Sequence, residues 1–148
     1  MSGRFLIERM HPQVRPPFAR FVDACEGAGI PVRVIMTLRT PAEQDRLYAL
    51  GRTAPGRIVT NARGHQSYHC WAVAADIAPL SVLSDRNWAP EANEWKVMAH
   101  LAEQCGLEHT VKNDLPHWDY REGHSWREWY DAFPSLKLPN DYFTRIPT

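Results

Sequence analysis

Long hydrophobic runs are missing from this chain of 148 residues. No stretch approaches the roughly 20 apolar residues that cross a bilayer, so no membrane insertion is expected. Met1-Ser2-Gly3-Arg4-Phe5-Leu6-Ile7-Glu8-Arg9 also holds too short an apolar run for a signal peptide. The expectation is synthesis in the cytoplasm. Net charge is missing too, since 17 Lys and Arg balance 17 Asp and Glu. That removes the electrostatic case for nucleic-acid binding and for strong attraction to anionic polymers or membranes, and leaves partner recognition to local groups. Cysteine is scarce. Cys25, Cys70 and Cys105 are odd in number and lack metal-finger spacing, which argues against a disulfide framework and for buried thiols made in a reducing compartment. Internal repeats and low-complexity segments are absent. The run Gly51-Arg52-Thr53-Ala54-Pro55-Gly56 lacks the Gly-Lys-Ser/Thr ending of a phosphate loop, so nucleotide binding is not expected.

What remains is an ordinary globular composition, 44% apolar and 23% charged, with room for one core. The reading is a single α+β domain over residues 1–148. Its core spans about 5–120, and an aromatic and Pro-rich extension covers 121–148. Val14, Phe18, Phe21, Val22 and Cys25 recur at helical spacing before Gly27 and Gly29, so a helix precedes a strand at 31 to 38. Thr40-Pro41 followed by Glu43 predicts an N-cap and a second helix to about residue 50. A loop over 51 to 68 follows. Asp76-Ile77-Ala78 reads as a short buried strand, Pro79 to Pro90 as irregular, and Glu91 to Cys105 as a helix with Trp95, Met98, Ala102 and Cys105 inward and Gly106 ending it. Strands near 107 to 110 and 117 to 120 would complete a mostly antiparallel sheet flanked by helices. The aromatics of Trp126-Arg127-Glu128-Trp129-Tyr130-Asp131-Ala132-Phe133 read as packing residues before an extended end.

The chemistry concentrates in Ser67-Tyr68-His69-Cys70-Trp71-Ala72-Val73-Ala74-Ala75-Asp76 and, downstream, Asp114-Leu115-Pro116-His117-Trp118. A hydrolytic zinc centre needs three protein ligands, an open position for water and an unligated group that moves protons. His69, Asp76 and His117 suit the first role and Asp114 the last. On one helix His69 and Asp76 would be separated by roughly 10 Å of rise, and on one strand by more than about 20 Å, so the chain must fold back between them. The small residues Ala72-Val73-Ala74-Ala75 permit that. Pro116 lacks an N–H and biases Leu115 toward extended geometry, which places Asp114 and His117 on a turn entering a strand.

Two His and one carboxylate also make the facial triad of non-haem iron oxygenases. Those enzymes typically use a His-x-Asp/Glu unit, whereas six residues separate His69 from Asp76 here, and oxygen chemistry needs no Asp114. One zinc ion is therefore the expected cofactor. A structural zinc site would be richer in Cys, and Cys70, adjacent to His69, reads as core or pocket wall. Ser67 lies in no Gly-x-Ser-x-Gly elbow and reads as a residue that orients the ligand loop. His65, His109 and His124 read as surface or hydrogen-bonding residues, His65 being the best placed near the motif. An unperturbed Asp has a pKa of about 3.9, so a working Asp114 must be raised by burial or by crowding near Asp76.

The pattern Ser-x-His, three residues to a small one, then Ala-x-Asp, followed at distance by Asp-x-Pro-His, resembles the D-alanyl-D-alanine carboxypeptidase superfamily of zinc peptidases. Arg39-Thr40-Pro41-Ala42-Glu43-Gln44, Leu47-Tyr48-Ala49, Gly51-Arg52-Thr53, Pro55-Gly56 and Val59-Thr60-Asn61-Ala62 resemble its phage-type branch, the L-alanyl-D-glutamate endopeptidases used as endolysins. Met10-His11-Pro12 is similar to that branch as well. The resemblance implies zinc ligands His69, Asp76 and His117, general base Asp114, and Arg39 as a cationic partner of substrate or transition state. It adds Gln44, with Ser67, as a supporting or substrate-binding residue. Two departures stand out: the family usually has Gly where this chain has Ala72, and 107–113 lacks its Gly-Gly-x-Trp segment.

The implied function is zinc-dependent hydrolysis of the L-alanyl-D-glutamate bond of peptidoglycan stem peptides by a monomer, in a phage or prophage lysis setting. Such a protein would wait in the host cytoplasm and act on the wall after release. The alternatives are a D-alanyl-D-alanine carboxypeptidase or dipeptidase, and a non-catalytic wall-binding or virion structural domain.

Overall fold

Alternation along three short strands separates a core face from a working face. The computed structural model describes residues 3–12, 14–85, 88, 92–109 and 114–120. A 3-10 helix, Arg4–Arg9, leads to helix α1, Arg15–Gly27, strand β1, Val32–Met36, and helix α2, Pro41–Ala49. A second 3-10 helix, Tyr68–Trp71, precedes strand β2, Ala74–Pro79, helices α3, Leu80–Asp85, and α4, Asn93–Gln104, and strand β3, His117–Asp119. The sheet order is β1-β2-β3 and both pairings are antiparallel. This is the small α+β domain expected.

Registers assign the faces. Val34 pairs with Ile77 and Ala75 with Trp118, and these buried residues join Phe18, Phe21 and Val22 of α1 and Met98 of α4 in one core. Because side chains alternate, Asp76, opposite His117, projects from the other face. A bulge between Val34 and Met36 lets β1 accommodate Asp76 at its end.

Local chemistry explains the boundaries. Thr40 and Glu43 close a reciprocal capping box at the start of α2, with Pro41 in its first turn. Gly106, at φ 78°, turns the chain out of α4. Three expectations need correction. Leu80–Asp85 is helical where Pro79 to Pro90 reads as irregular, because Pro79 ends β2 and the amide of Leu80 is held by the Pro31 carbonyl at 2.9 Å while Val82 buries. Cys105 packs against the core as expected, but as the half-buried cap of α4, whose last helical residue is Gln104. At 107–109 there is no strand but a single bridge of Glu108 to Asp119. His124 and the aromatic segment at 126–133 lie outside the described residues.

Candidate metal centre

His69 sits in the Tyr68–Trp71 turn. Ser67 caps that turn by accepting the His69 amide at 3.3 Å, and Ala72 ends it in the left-handed region at φ 59°, ψ 28°. The chain thus makes the fold-back required between His69 and Asp76, at Ala72, where the resemblance leads one to expect Gly. An alanine methyl occupies that conformation here, completely buried. The Ala72 carbonyl is held by the His11 amide at 2.9 Å.

Three elements then converge. One ligand atom from each of His69, Asp76 and His117 lies within 4.8 Å of the others. His69 Nδ1 is 2.7 Å from the Thr37 carbonyl, which only accepts, so Nδ1 carries the hydrogen and Nε2 presents its lone pair. That Nε2 lies 3.1 Å from Asp76 Oδ1. His117 Nε2 is 3.0 Å from Asp119 Oδ2, which assigns its hydrogen to Nε2 and leaves the Nδ1 lone pair 3.7 Å from Asp76 Oδ1. The rings meet edge to face, centroids 5.1 Å apart. Lone pairs from two neutral imidazoles and a carboxylate so arranged repel unless a cation lies among them or an imidazole takes a second proton. The residues therefore fit one metal ion. Both imidazoles have their outer nitrogens engaged, as in carboxylate–histidine–metal arrangements.

Electrostatics agree with the geometry. Burial pushes the Asp76 carboxyl up. In the metal-free protein a hydrogen bond from His69, once that ring takes its second proton, and the charges of His69, His117 and Arg39 outweigh it and hold Asp76 below the usual carboxylate range. Asp114 moves the other way, raised by burial and by the nearby Asp76 charge. Its turn is closed by the His117 amide donating to the Asp114 carbonyl at 3.2 Å.

These groups lie in one cleft of about 720 Å³. Arg39, Asp114, His69, Asp76 and His117 line it together with Ser67 and Tyr68, and Leu47, Leu50 and Val59 supply an apolar wall. Arg39 follows β1, its amide bonded to the His69 carbonyl at 3.2 Å, and its Nη1 donates to Gln44 Oε1 at 2.8 Å. Gln44, buried on α2, passes its amide protons to the Ala62 carbonyl at 2.7 Å and Thr60 Oγ1 at 3.3 Å. The 51–62 loop is braced by Arg52, whose Nη1 reaches the Tyr48 and Thr60 carbonyls at 2.6 and 3.1 Å and whose guanidinium lies 3.8 Å over the Tyr48 ring. Gly51 is required there, since a Cβ would fall 2.7 Å from the Ile58 nitrogen, at φ +75°.

The sequence reading misses two partners. Asp119 lies two residues after His117 and thus on its face of β3, a period-2 signal that was legible. The Thr37 carbonyl is backbone and carries no side-chain signature. His65 is outside the cleft wall, an exposed residue at φ 67° whose carbonyl accepts from Trp71 Nε1 at 3.0 Å. Cys70 is buried outside the ligand set, its thiol pushed up mainly by burial.

Comparison with known proteins follows the same lines. Residues 7–130 match the family model described as VanY, D-alanyl-D-alanine carboxypeptidase. The chain is 32% identical over 139 residues to the peptidoglycan L-alanyl-D-glutamate endopeptidase CwlK of Bacillus subtilis (strain 168), covering 88% of this chain and 75% of that protein. Its fold resembles that of the LdcB LD-carboxypeptidase, with a TM-score of 0.60 and 17% identity over 93% of this chain and 70% of the other. A match over most of the length, joined to a relative above 30% identity, shows that the chain belongs to the VanY D-alanyl-D-alanine carboxypeptidase family.

Proposed function

We propose that the protein is a zinc-dependent peptidoglycan endopeptidase that hydrolyses the L-alanyl-D-glutamate bond of stem peptides. The observation that carries this is the convergence of His69 Nε2, Asp76 and His117 Nδ1 in a cleft also lined by Asp114 and Arg39. Two nitrogens and one oxygen are a zinc donor set. Zinc bound there supplies Lewis acidity and brings the pKa of a bound water toward about 7.

The remaining work falls to the chain. Asp114 takes the proton from the attacking water and delivers it to the amine leaving as the amide C–N bond breaks. Its raised pKa suits both halves of that transfer better than an ordinary carboxylate would. Arg39, held by Gln44, presents a planar cation to the oxyanion or to a substrate carboxylate. Val59, Leu47 and Leu50 give the aliphatic part of a stem peptide an apolar wall.

The choice of bond rests on the relative at 32% identity, and the setting on the resemblance of residues 39–62 to phage-type enzymes. The proposal accordingly includes a monomer that acts on the wall after release from the host cytoplasm. The family's own description favours a second reading, removal of terminal D-alanine.

Digestion of purified peptidoglycan, with and without chelator, followed by mass spectrometry separates them. Chelator-sensitive fragments with a new N-terminal D-glutamate are expected, and loss of terminal D-alanine would select the carboxypeptidase. Asp114→Ala should retain bound zinc and lose most hydrolysis, roughly 10²-fold or more. Unchanged hydrolysis would remove Asp114 from the mechanism, and no cleavage of any wall type by zinc-loaded, folded protein would overturn the enzyme reading.

A further inference from the structure

His109 touches the backbone of the site without entering the cleft. Beyond Gly106, Glu108 exchanges both backbone hydrogen bonds with Asp119, at 2.7 and 2.9 Å, which seats residue 109 beside β3. There its ring stacks on Trp118, centroids 4.5 Å apart and planes 24° from parallel. Trp118 is a rigid base, fully buried, with Nε1 donating to the Ile77 carbonyl at 3.0 Å and its ring against Phe21 at 5.0 Å. From this seat His109 Nε2 reaches the Asp114 carbonyl at 2.9 Å. A carbonyl only accepts, so Nε2 is the donor. The same carbonyl accepts the His117 amide, so one donor comes from the metal-ligand strand and the other from a ring stacked on the core.

We infer that His109 is a positioning residue of the peptidase, fixing the Asp114 peptide so that its carboxyl stays in the cleft lined by Asp76 and His117. The inference rests on reading Asp114 as the proton carrier. With one donor removed, the peptide can rotate about its remaining bond to His117. Displacements near 1 Å at a reacting group can cost up to about 10²-fold in rate. Zinc binding should be indifferent, because none of the three ligand side chains is held by His109.

Two substitutions test it. His109→Phe keeps a ring on Trp118 and removes the donor, whereas His109→Gln keeps an N–H donor. Each holoenzyme is assayed on soluble muropeptides, with bound zinc per chain and thermal midpoint measured in parallel. The expected result for His109→Phe is a fall in kcat of about tenfold with KM and bound zinc unchanged. His109→Gln should restore kcat to within about threefold, and His109→Phe should add no further loss on top of Asp114→Ala. Equal losses in the Phe and Gln variants, an effect confined to KM, an unchanged kcat in His109→Phe, or a full extra loss in the Asp114→Ala background would each overturn it. If Asp114→Ala itself hydrolyses normally, the Asp114 reading fails and takes this one with it. That result is distinct from the four that refute His109 alone.

Discussion

Asp119 offers the sharpest test of the metal centre. It is completely buried and His117 is 3% exposed, so their 3.0 Å contact is shielded from water. Asp119→Asn keeps an acceptor of the same shape and removes the charge. Hydrogen bonds to charged groups contribute about 1.5–3 kcal/mol and neutral ones about 0.5–1.5 kcal/mol, so the difference is about 1–1.5 kcal/mol. Part of that bond also exists in the metal-free protein, which makes the figure an upper bound on the loss of metal binding. At about 1.4 kcal/mol per decade it corresponds to zinc affinity weaker by up to about tenfold. Asp119→Ala also leaves the His117 N–H without its acceptor and lets the ring turn, so a loss near 10²-fold is expected, the upper end for such partners. Titration of the apoprotein against a chromophoric zinc chelator measures both values, with apoprotein melting as the control for folding. Equal affinities in Asp119→Asn, Asp119→Ala and the unmodified protein would refute the assignment of Asp119 as the group that orients His117.

Two further predictions concern the fold-back and the acid pair. Ala72→Gly would relieve a left-handed alanine by about 1 kcal/mol, but it removes a buried methyl of about 0.8 kcal/mol and adds about 0.4–1 kcal/mol of unfolded-chain entropy. Denaturant unfolding should place it within about 1 kcal/mol of the unmodified protein, slightly destabilised, and a gain above about 2 kcal/mol would contradict that balance. Asp114 has a folded pKa raised above its ordinary value, so its ionisation opposes folding once pH passes that raised value. The penalty fades as pH falls toward the ordinary carboxylate range. Metal-free Asp114→Asn should therefore melt above the unmodified apoprotein at neutral pH, with the gap closing by about pH 4. A gap that widened on acidification would reverse the sign. Asp76, with its pKa lowered, acts in the opposite sense and at lower pH, because its stabilisation is lost as pH falls through the depressed value.

Much of the fold was legible because it is locally encoded. The spacing of Val14, Phe18, Phe21, Val22 and Cys25 marks one buried face of α1, and the Thr40-Pro41-Glu43 grouping marks the start of α2. Pro116 predicts the turn that carries Asp114 into the His117 strand, and that turn is present. The segment after Pro79 was harder to read. Proline serves equally as a strand end, a loop breaker or a helix opener, and only the bond from Leu80 to Pro31 across the fold selects helix.

The sequence by itself determined the inventory: two histidines and two carboxylates in segments that local rules bring to a turn, a strand and a strand entrance. It also determined the fold-back, because His69 and Asp76 cannot meet along any regular element. Only the tertiary structure decided which nitrogen of each imidazole faces inward. That choice depends on what the outer nitrogen meets, the Thr37 carbonyl for His69 and Asp119 for His117. It also set the register that places Asp76 opposite His117, where a slip of one residue would turn His117 into the core and Trp118 toward the site. Register and tautomer arise from contacts between distant segments, and no local rule carries them.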